Sequence, residues 1–256
     1  MLAAAPDARA AAALALPIGV ALLAPFAVAF WDVDGAALPY VAASALLEGA
    51  YFWLLTAGYA RGELSAVYPL VRGSAPVLVL ALSVAFLGAA LSALAAVGVV
   101  AVGAGVVAVR GLRQTSSGAA VGLALLCGAT VAGYTLVDNE GVTHAGPVPY
   151  LTLVLAPVAV VSLVAARRSR GWVELAAYAR HSRAAIVVAG IGMVGAYVLT
   201  LAALRLAAAA PVAAVRETSV LIAVLAAAAM GQERFDRVRL AAAAAIAAGT
   251  AAIALG

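Results

Sequence analysis

The chain has no lysine. All fifteen of its cationic residues are arginine, and charged residues of either sign make up only 10% of its 256 positions. A soluble domain carries about 25% charged residues to solvate its surface, so this composition excludes an ordinary water-soluble globule. With alanine so abundant, the lysine-free set reads as the coding bias of a GC-rich genome, not as a nucleic-acid-binding surface. A pI near 9.6 suits basic loops flanking membrane spans. The one cysteine, Cys127, lies inside an apolar run, which rules out an internal disulfide or a CxxC metal site and leaves it a small buried apolar residue. His144 and His181 both fall in expected loops, no HExxH occurs, and no acidic pair recurs at metal-ligand spacing. The chain therefore reads as not an enzyme, with no metal or cofactor called for. Asp7 and Arg9 precede the first apolar run without a basic n-region, so the start does not read as a signal peptide.

What is abundant is apolar sequence: 67% of residues are hydrophobic and the mean hydropathy is +1.14. The apolar residues gather into runs of roughly 18–24, long enough to cross about 30 Å of hydrocarbon as helices. A closed barrel would show short alternating segments instead. The fold class expected is therefore an all-α integral membrane bundle. Charged and Gly/Pro punctuation predicts spans at residues 10–30, 38–60, 64–87, 90–109, 118–137, 147–166, 184–204, 208–230 and 238–255. Connections are short, which makes neighbours antiparallel. The one sizeable connection, RRSRGWVELAAYARHSR at 167–183, mixes apolar residues with arginine. It suits either an interfacial segment with aromatic anchoring or a solvated basic loop.

Two arginines break the apolar pattern at matching places: Arg72 in SAVYPLVRGSAPVLVLALSVAFLG and Arg216 in AAPVAAVRETSVLIAVLAAAAMG. A charge near a bilayer centre costs at least a few kcal/mol and usually faces a cavity or pathway. An offset of 144 superposes Leu55 on Leu199, Thr56 on Thr200, Arg61 on Arg205, Val71 on Val215, Arg72 on Arg216 and Gly105 on Gly249. Such internal repeats mark secondary transporters, where the two units often cross the membrane in opposite directions. The division expected is a first repeat at 1–117 and a second at 118–256. The second has five spans, starting with 118–138. The first has four, because residues 10–30 correspond to 147–166, with Pro17 near the place of Pro157. A further apolar segment of about 20 residues, encoded upstream of Met1, is the expectation that follows.

GELSAVYPLVRGSAPVL (62–78), GAGVVAV (103–109), YTLVDNEGV (134–142) and APVAAVRETSVLIAVLAAAAMGQERF (210–235) resemble the EamA family of the drug/metabolite transporter superfamily, over nearly the whole chain. The resemblance implies two inverted five-helix repeats, ten helices in all, here without the family's first helix, which helps line the substrate cavity. It also implies export of amino acids, other metabolites or drugs by alternating access, and residence in the bacterial inner membrane. The chain departs from the family's LGE pattern at Leu87, Gly88 and Ala89, while the second repeat keeps a displaced acid at Glu233.

Candidate site residues are Arg72 and Arg216, whose guanidinium groups hold a carboxylate bidentately and cannot lose their charge. The alternative is a structural charge pair with Glu48, or with Glu217 beside Arg216. Glu48, deep in span 38–60, could otherwise carry a coupling proton. Tyr51, Trp53 and Tyr68 could wall an amphipathic cavity, or serve packing and interfacial anchoring. Pro69, Pro76 and Pro211 bend or free backbone near the arginines. Asp138 and Glu140 at a helix end read as a solvated acidic loop. The small-residue faces of 90–109 and 238–255 suit close packing or a homodimer surface. Partners expected are a small-molecule substrate and the lipid bilayer, with no nucleic acid. A multidrug or cationic-compound efflux protein and a non-transporting membrane partner protein are the alternative functions.

Arginine placement sets the expected orientation. Arg9, Arg61, Arg110, Arg113, Arg167, Arg168, Arg170, Arg180, Arg183, Arg234, Arg237 and Arg239 fall at one side of the spans against Arg205 at the other. Arginine concentrates on the cytoplasmic side, so the loops at 1–9, 61–63, 110–117, 167–183 and 231–237 face the cytoplasm and the C-terminus faces outward. A C-terminal reporter active only in the cytoplasm should be silent; an active one overturns this orientation.

Overall fold

A computed structural model describes residues 8–59, 64–88, 92–110, 118–213, 215–216, 219 and 237–255. Among these residues the chain is all-helical, with no strand. The helices are α1 (Ala8–Ala29), α2 (Leu38–Tyr59), α3 (Leu64–Leu87), α4 (Ala93–Arg110), α5 (Gly118–Gly141), α6 (Pro147–His181) and α7 (Arg183–Leu204). Helical residues at 209–213, 215–216 and 219 form α8, and α9 is Arg237–Leu255. Four helical segments, Gly35–Leu55, Val121–Gly141, Pro147–His181 and Arg183–Leu204, are long and apolar enough to cross a membrane. Two of them expose large apolar side chains, Leu46 (76%) and Leu199 (72%), as does α3 at Phe86 (80%). Ser44, Glu48, Ser83, Thr135, Asp138 and Thr250 are buried within an otherwise apolar core.

At 167–183 the structure shows helix on both sides of a sharp bend. The 35 residues of α6 are two helical parts that meet at Gly171, whose φ of 77° and ψ of 161° are non-helical. Positive φ is open to glycine at little steric cost. Residues 147–170 before the bend span about 36 Å at 1.5 Å per residue, already the thickness of a hydrocarbon core. A straight continuation would leave the far side, and the bend turns residues 172–181 aside. Leu175 is buried, and Tyr178 and Ala179 pack on Leu14, Ala15 and Ile186.

The chain forms two compact units, each drawing on both halves of the sequence: residues 1–46 with 137–206, and residues 47–136 with 207–256. In the first, α1 packs on α6 and α7. Glycine brings two of these helices together, since a Cβ at Gly190 would lie 2.6 Å from the Ala15 carbonyl oxygen and one at Gly19 would lie 2.8 Å from that of Gly190. The loops of this unit tie at their backbones. The Asp34 N–H donates to the His144 carbonyl (2.9 Å) and the Gly146 N–H to that of Asp32 (2.7 Å), while Tyr40 stacks on His144 at 5.7 Å. Gly146 and Pro147 then start α6, with proline at a position whose N–H has no helical partner to lose.

In the second unit α4 packs along α9, with α3 against α4. A Cβ at Gly98 would lie 2.5 Å from the Gly249 carbonyl oxygen, and one at Gly105 2.9 Å from that of Ala242. The small-residue faces of α4 and α9 thus pack on each other within one chain. Gly98→Ala should force these backbones apart and cost about 1–3 kcal/mol. Gly103→Ala, with nothing within 4 Å of its Cβ, should be neutral or slightly stabilising. Thermal unfolding of the two variants in detergent checks this; equal behaviour would refute the close approach.

Candidate functional site

Two glycines of α5 determine which helices reach it. A Cβ at Gly128 would collide with the Ser74 hydroxyl and lie 3.3 Å from the Val71 carbonyl oxygen, and one at Gly133 would lie 3.3 Å from Leu47 Cδ1. With hydrogen at both positions, α3 and α2 come close to α5, and their polar residues meet around Tyr134. Glu48, Tyr51 and Phe52 share one face of α2, spaced i, i+3 and i+4. Arg72 follows the buried Val71 on α3.

A chain of hydrogen bonds runs through this cluster. Arg72 Nη2 donates to Ser219 Oγ (3.2 Å), and Ser219 Oγ donates to the Arg216 carbonyl oxygen (2.8 Å). Arg216 Nη2 donates to Tyr134 Oη (3.1 Å), with the guanidinium carbon 5.9 Å from the tyrosine ring centroid. Tyr134 meets Tyr51 edge to face at 6.2 Å, and Tyr51 meets Phe52 in the same way at 5.3 Å. Cys127 Sγ lies 3.7 Å from the Tyr51 carbonyl oxygen. Glu48, 3% exposed, lies within Coulombic reach of Tyr51, Tyr134 and Cys127, and Arg72 within reach of both tyrosines. Both arginine side chains are half-buried. Two permanent cations, one buried carboxylate and two phenol rings thus gather in one unit. Such a set can grip an anionic group and flank it with aromatic surface.

Of the residues singled out in the sequence, Arg72, Arg216, Glu48 and Tyr51 come together here. Trp53 does not join them, being 69% exposed. The Tyr68 side chain and Glu217 lie outside the described residues. Cys127 is buried and free. Tyr134 and Ser219 belong to the cluster although the sequence marked neither as a site residue. Tyr134 lies in YTLVDNEGV, but only the tertiary approach of α2 and α3 gives its hydroxyl a role.

No family model and no curated protein matches the chain. Its similarity is to solved structures: a crystal structure of a protein aligns at a TM-score of 0.61 and 17% identity, covering 99% of this chain and 89% of that one. At this identity the likeness shows a shared fold alone. Nearly every residue of the chain takes part in it.

The reading of Asp138 as a solvated loop acid is corrected. Helix α5 runs on to Gly141, beyond its expected end, and Asp138 is 1% exposed. Its Oδ1 accepts from Tyr150 Oη (3.0 Å) and its Oδ2 from Tyr197 Oη (2.6 Å). The Tyr150 ring lies directly on Gly141, where a Cβ would meet ring carbons at 2.6 Å. Glu140, by contrast, is exposed. The three polar groups of this second cluster come from separate helices, which no spacing in the sequence could bring together. Tyr197→Phe should cost about 1–3 kcal/mol by removing one donor from a buried carboxylate, and Gly141→Ala should destabilise by displacing the other. Unfolding curves unchanged for both would remove this role from Asp138.

Proposed function

We propose that the chain is a multi-pass membrane transporter of the EamA type, exporting a small metabolite such as an amino acid or organic anion by alternating access. The observation that carries this reading is the Arg72–Ser219–Arg216–Tyr134 chain of hydrogen bonds, beside buried Glu48, in helices with an apolar exterior. The arginines would hold the substrate's carboxylate and the tyrosine rings its organic part. Glu48, close to both tyrosines, is the group that would exchange a coupling proton. Insertion in the inner membrane, with arginine-rich loops inside, is part of the proposal. The four apolar helices of crossing length support it.

The inverted-repeat reading has support of its own. Under the offset of 144, Gly98 corresponds to Ala242 and Gly105 to Gly249. The close approaches in the α4–α9 pair are Gly98 to Gly249 and Gly105 to Ala242. Each contact is the other with the two repeats exchanged, as a pseudo-two-fold axis between equivalent helices would produce.

A structural reading of the same cluster is favoured by one fact: both guanidinium groups already have protein acceptors, Ser219 and Tyr134. Proteoliposome uptake and counterflow with a panel of amino acids and organic acids separates the readings. Arg72→Ala and Arg216→Ala should each reduce flux at least about tenfold, since a lost charge-assisted bond is worth about 1.5–3 kcal/mol, while the protein stays inserted. Full flux in either variant removes that arginine from the site. If the arginines serve structure, each single change leaves a buried charge unmatched and lowers expression. A double change of Arg72 and Glu48 to apolar residues of similar size would then restore both expression and flux.

A further inference from the structure

Residues 167–183 contain five arginines and one glutamate, a net charge of +4, equal to that of the whole chain. The structure gives this charge a definite position. Residues 147–166, about 20 in number and enough to cross the hydrocarbon, end at Arg167, and the helix turns at Gly171 four residues later. In a bilayer that α6 spans, Arg167, Arg168 and Arg170 lie at headgroup depth. The bent segment is held against the body by buried Leu175 and by Tyr178 and Ala179. Its outward side carries Trp172 (50% exposed) and Val173 (85% exposed). The Arg167 guanidinium carbon lies 5.4 Å from the Trp172 ring centroid, and Arg170 pairs with Glu174 at 2.9 Å. Arg168, Arg180 and Arg183 are exposed.

We infer that the bent end of α6 is a docking surface for anionic phospholipid headgroups of the cytoplasmic leaflet. Trp172 and Val173 would enter the acyl boundary while Arg168, Arg180 and Arg183 hold lipid phosphate. Charge complementarity selects the occupant, because an apolar pair beside clustered arginine fits a molecule with a phosphate head and a hydrocarbon tail. Gly171 is the device that lays the segment along the interface. The inference rests on the membrane-spanning part of the proposed function and not on transport.

Trp31, Trp53 and Trp172 are the three tryptophans, so changing Trp31 and Trp53 to Phe makes Trp172 the sole reporter. The protein is reconstituted in phosphatidylcholine vesicles containing brominated phosphatidylglycerol or, at the same mole fraction, brominated phosphatidylcholine. The anionic phosphatidylglycerol should bind beside Trp172 roughly fivefold more strongly, what a single arginine contributes at an anionic surface. Arg168→Gln, Arg180→Gln and Arg183→Gln together should bring the ratio to about one. Equal quenching by the two lipids, or a preference that survives the triple change, overturns the proposal. So does loss of the preference in inorganic phosphate beyond that caused by sodium chloride of equal ionic strength, which would assign the arginines to free phosphate. A second variant that keeps only Trp53 separates the premises. Its quenching by either lipid reports insertion, and its failure in both would instead remove the membrane reading.

Discussion

Where Gly98 of α4 meets Gly249 of α9, no side chain separates the two helices, and the same holds where Gly19 of α1 meets Gly190 of α7. Lipid tails are as apolar as leucine, so transmembrane helices gain little by merely burying hydrocarbon. They hold together through close van der Waals contact, which small residues permit. Among the described residues, the Gly98–Gly249 and Gly19–Gly190 approaches are contacts of this kind. Alanine and glycine let these backbones approach, while large apolar side chains divide between exposed ones, such as Leu46, Phe86 and Leu199, and buried ones, such as Leu16, Leu151, Ile186 and Leu201.

The same constraint builds the polar clusters. Gly128 and Gly133 bring α3 and α2 to α5, and with them Arg72, Glu48 and Tyr51 to Tyr134. Gly141 makes room for the Tyr150 ring, which then donates to Asp138. A buried charge or carboxylate tolerates such a place only when donors and acceptors reach it. Hydroxyl groups perform that service in both clusters: Ser219 and Tyr134 for the arginines, Tyr150 and Tyr197 for the aspartate.

Length explains the other feature with functional weight. Helix α6 is too long for a hydrocarbon core, and Gly171 turns the surplus aside with its arginines at the end of the apolar run. In the proposed membrane reading, the basic charge that would bias orientation and the segment that would lie along the boundary belong to one element.

The sequence by itself determined most of the described helices and the limits of several. Apolar run length and charged punctuation place α2, α3, α7 and α9 within a residue or two of the observed ends, because each helix satisfies its own backbone and needs no neighbour to define it. It also marked Arg72, Arg216 and Glu48, since a charge inside an apolar run stands out locally. Tertiary structure alone decided that 172–181 is helical and packed through Leu175, since the sequence left an interfacial segment and a solvated loop both open. It alone decided that Trp53 faces outward while Tyr51 joins the cluster, and that Asp138 is enclosed. Those outcomes depend on which helix faces meet. Meeting faces are set by the glycine contacts between segments distant in sequence, and in so alanine-rich a chain no periodicity announces which face that will be.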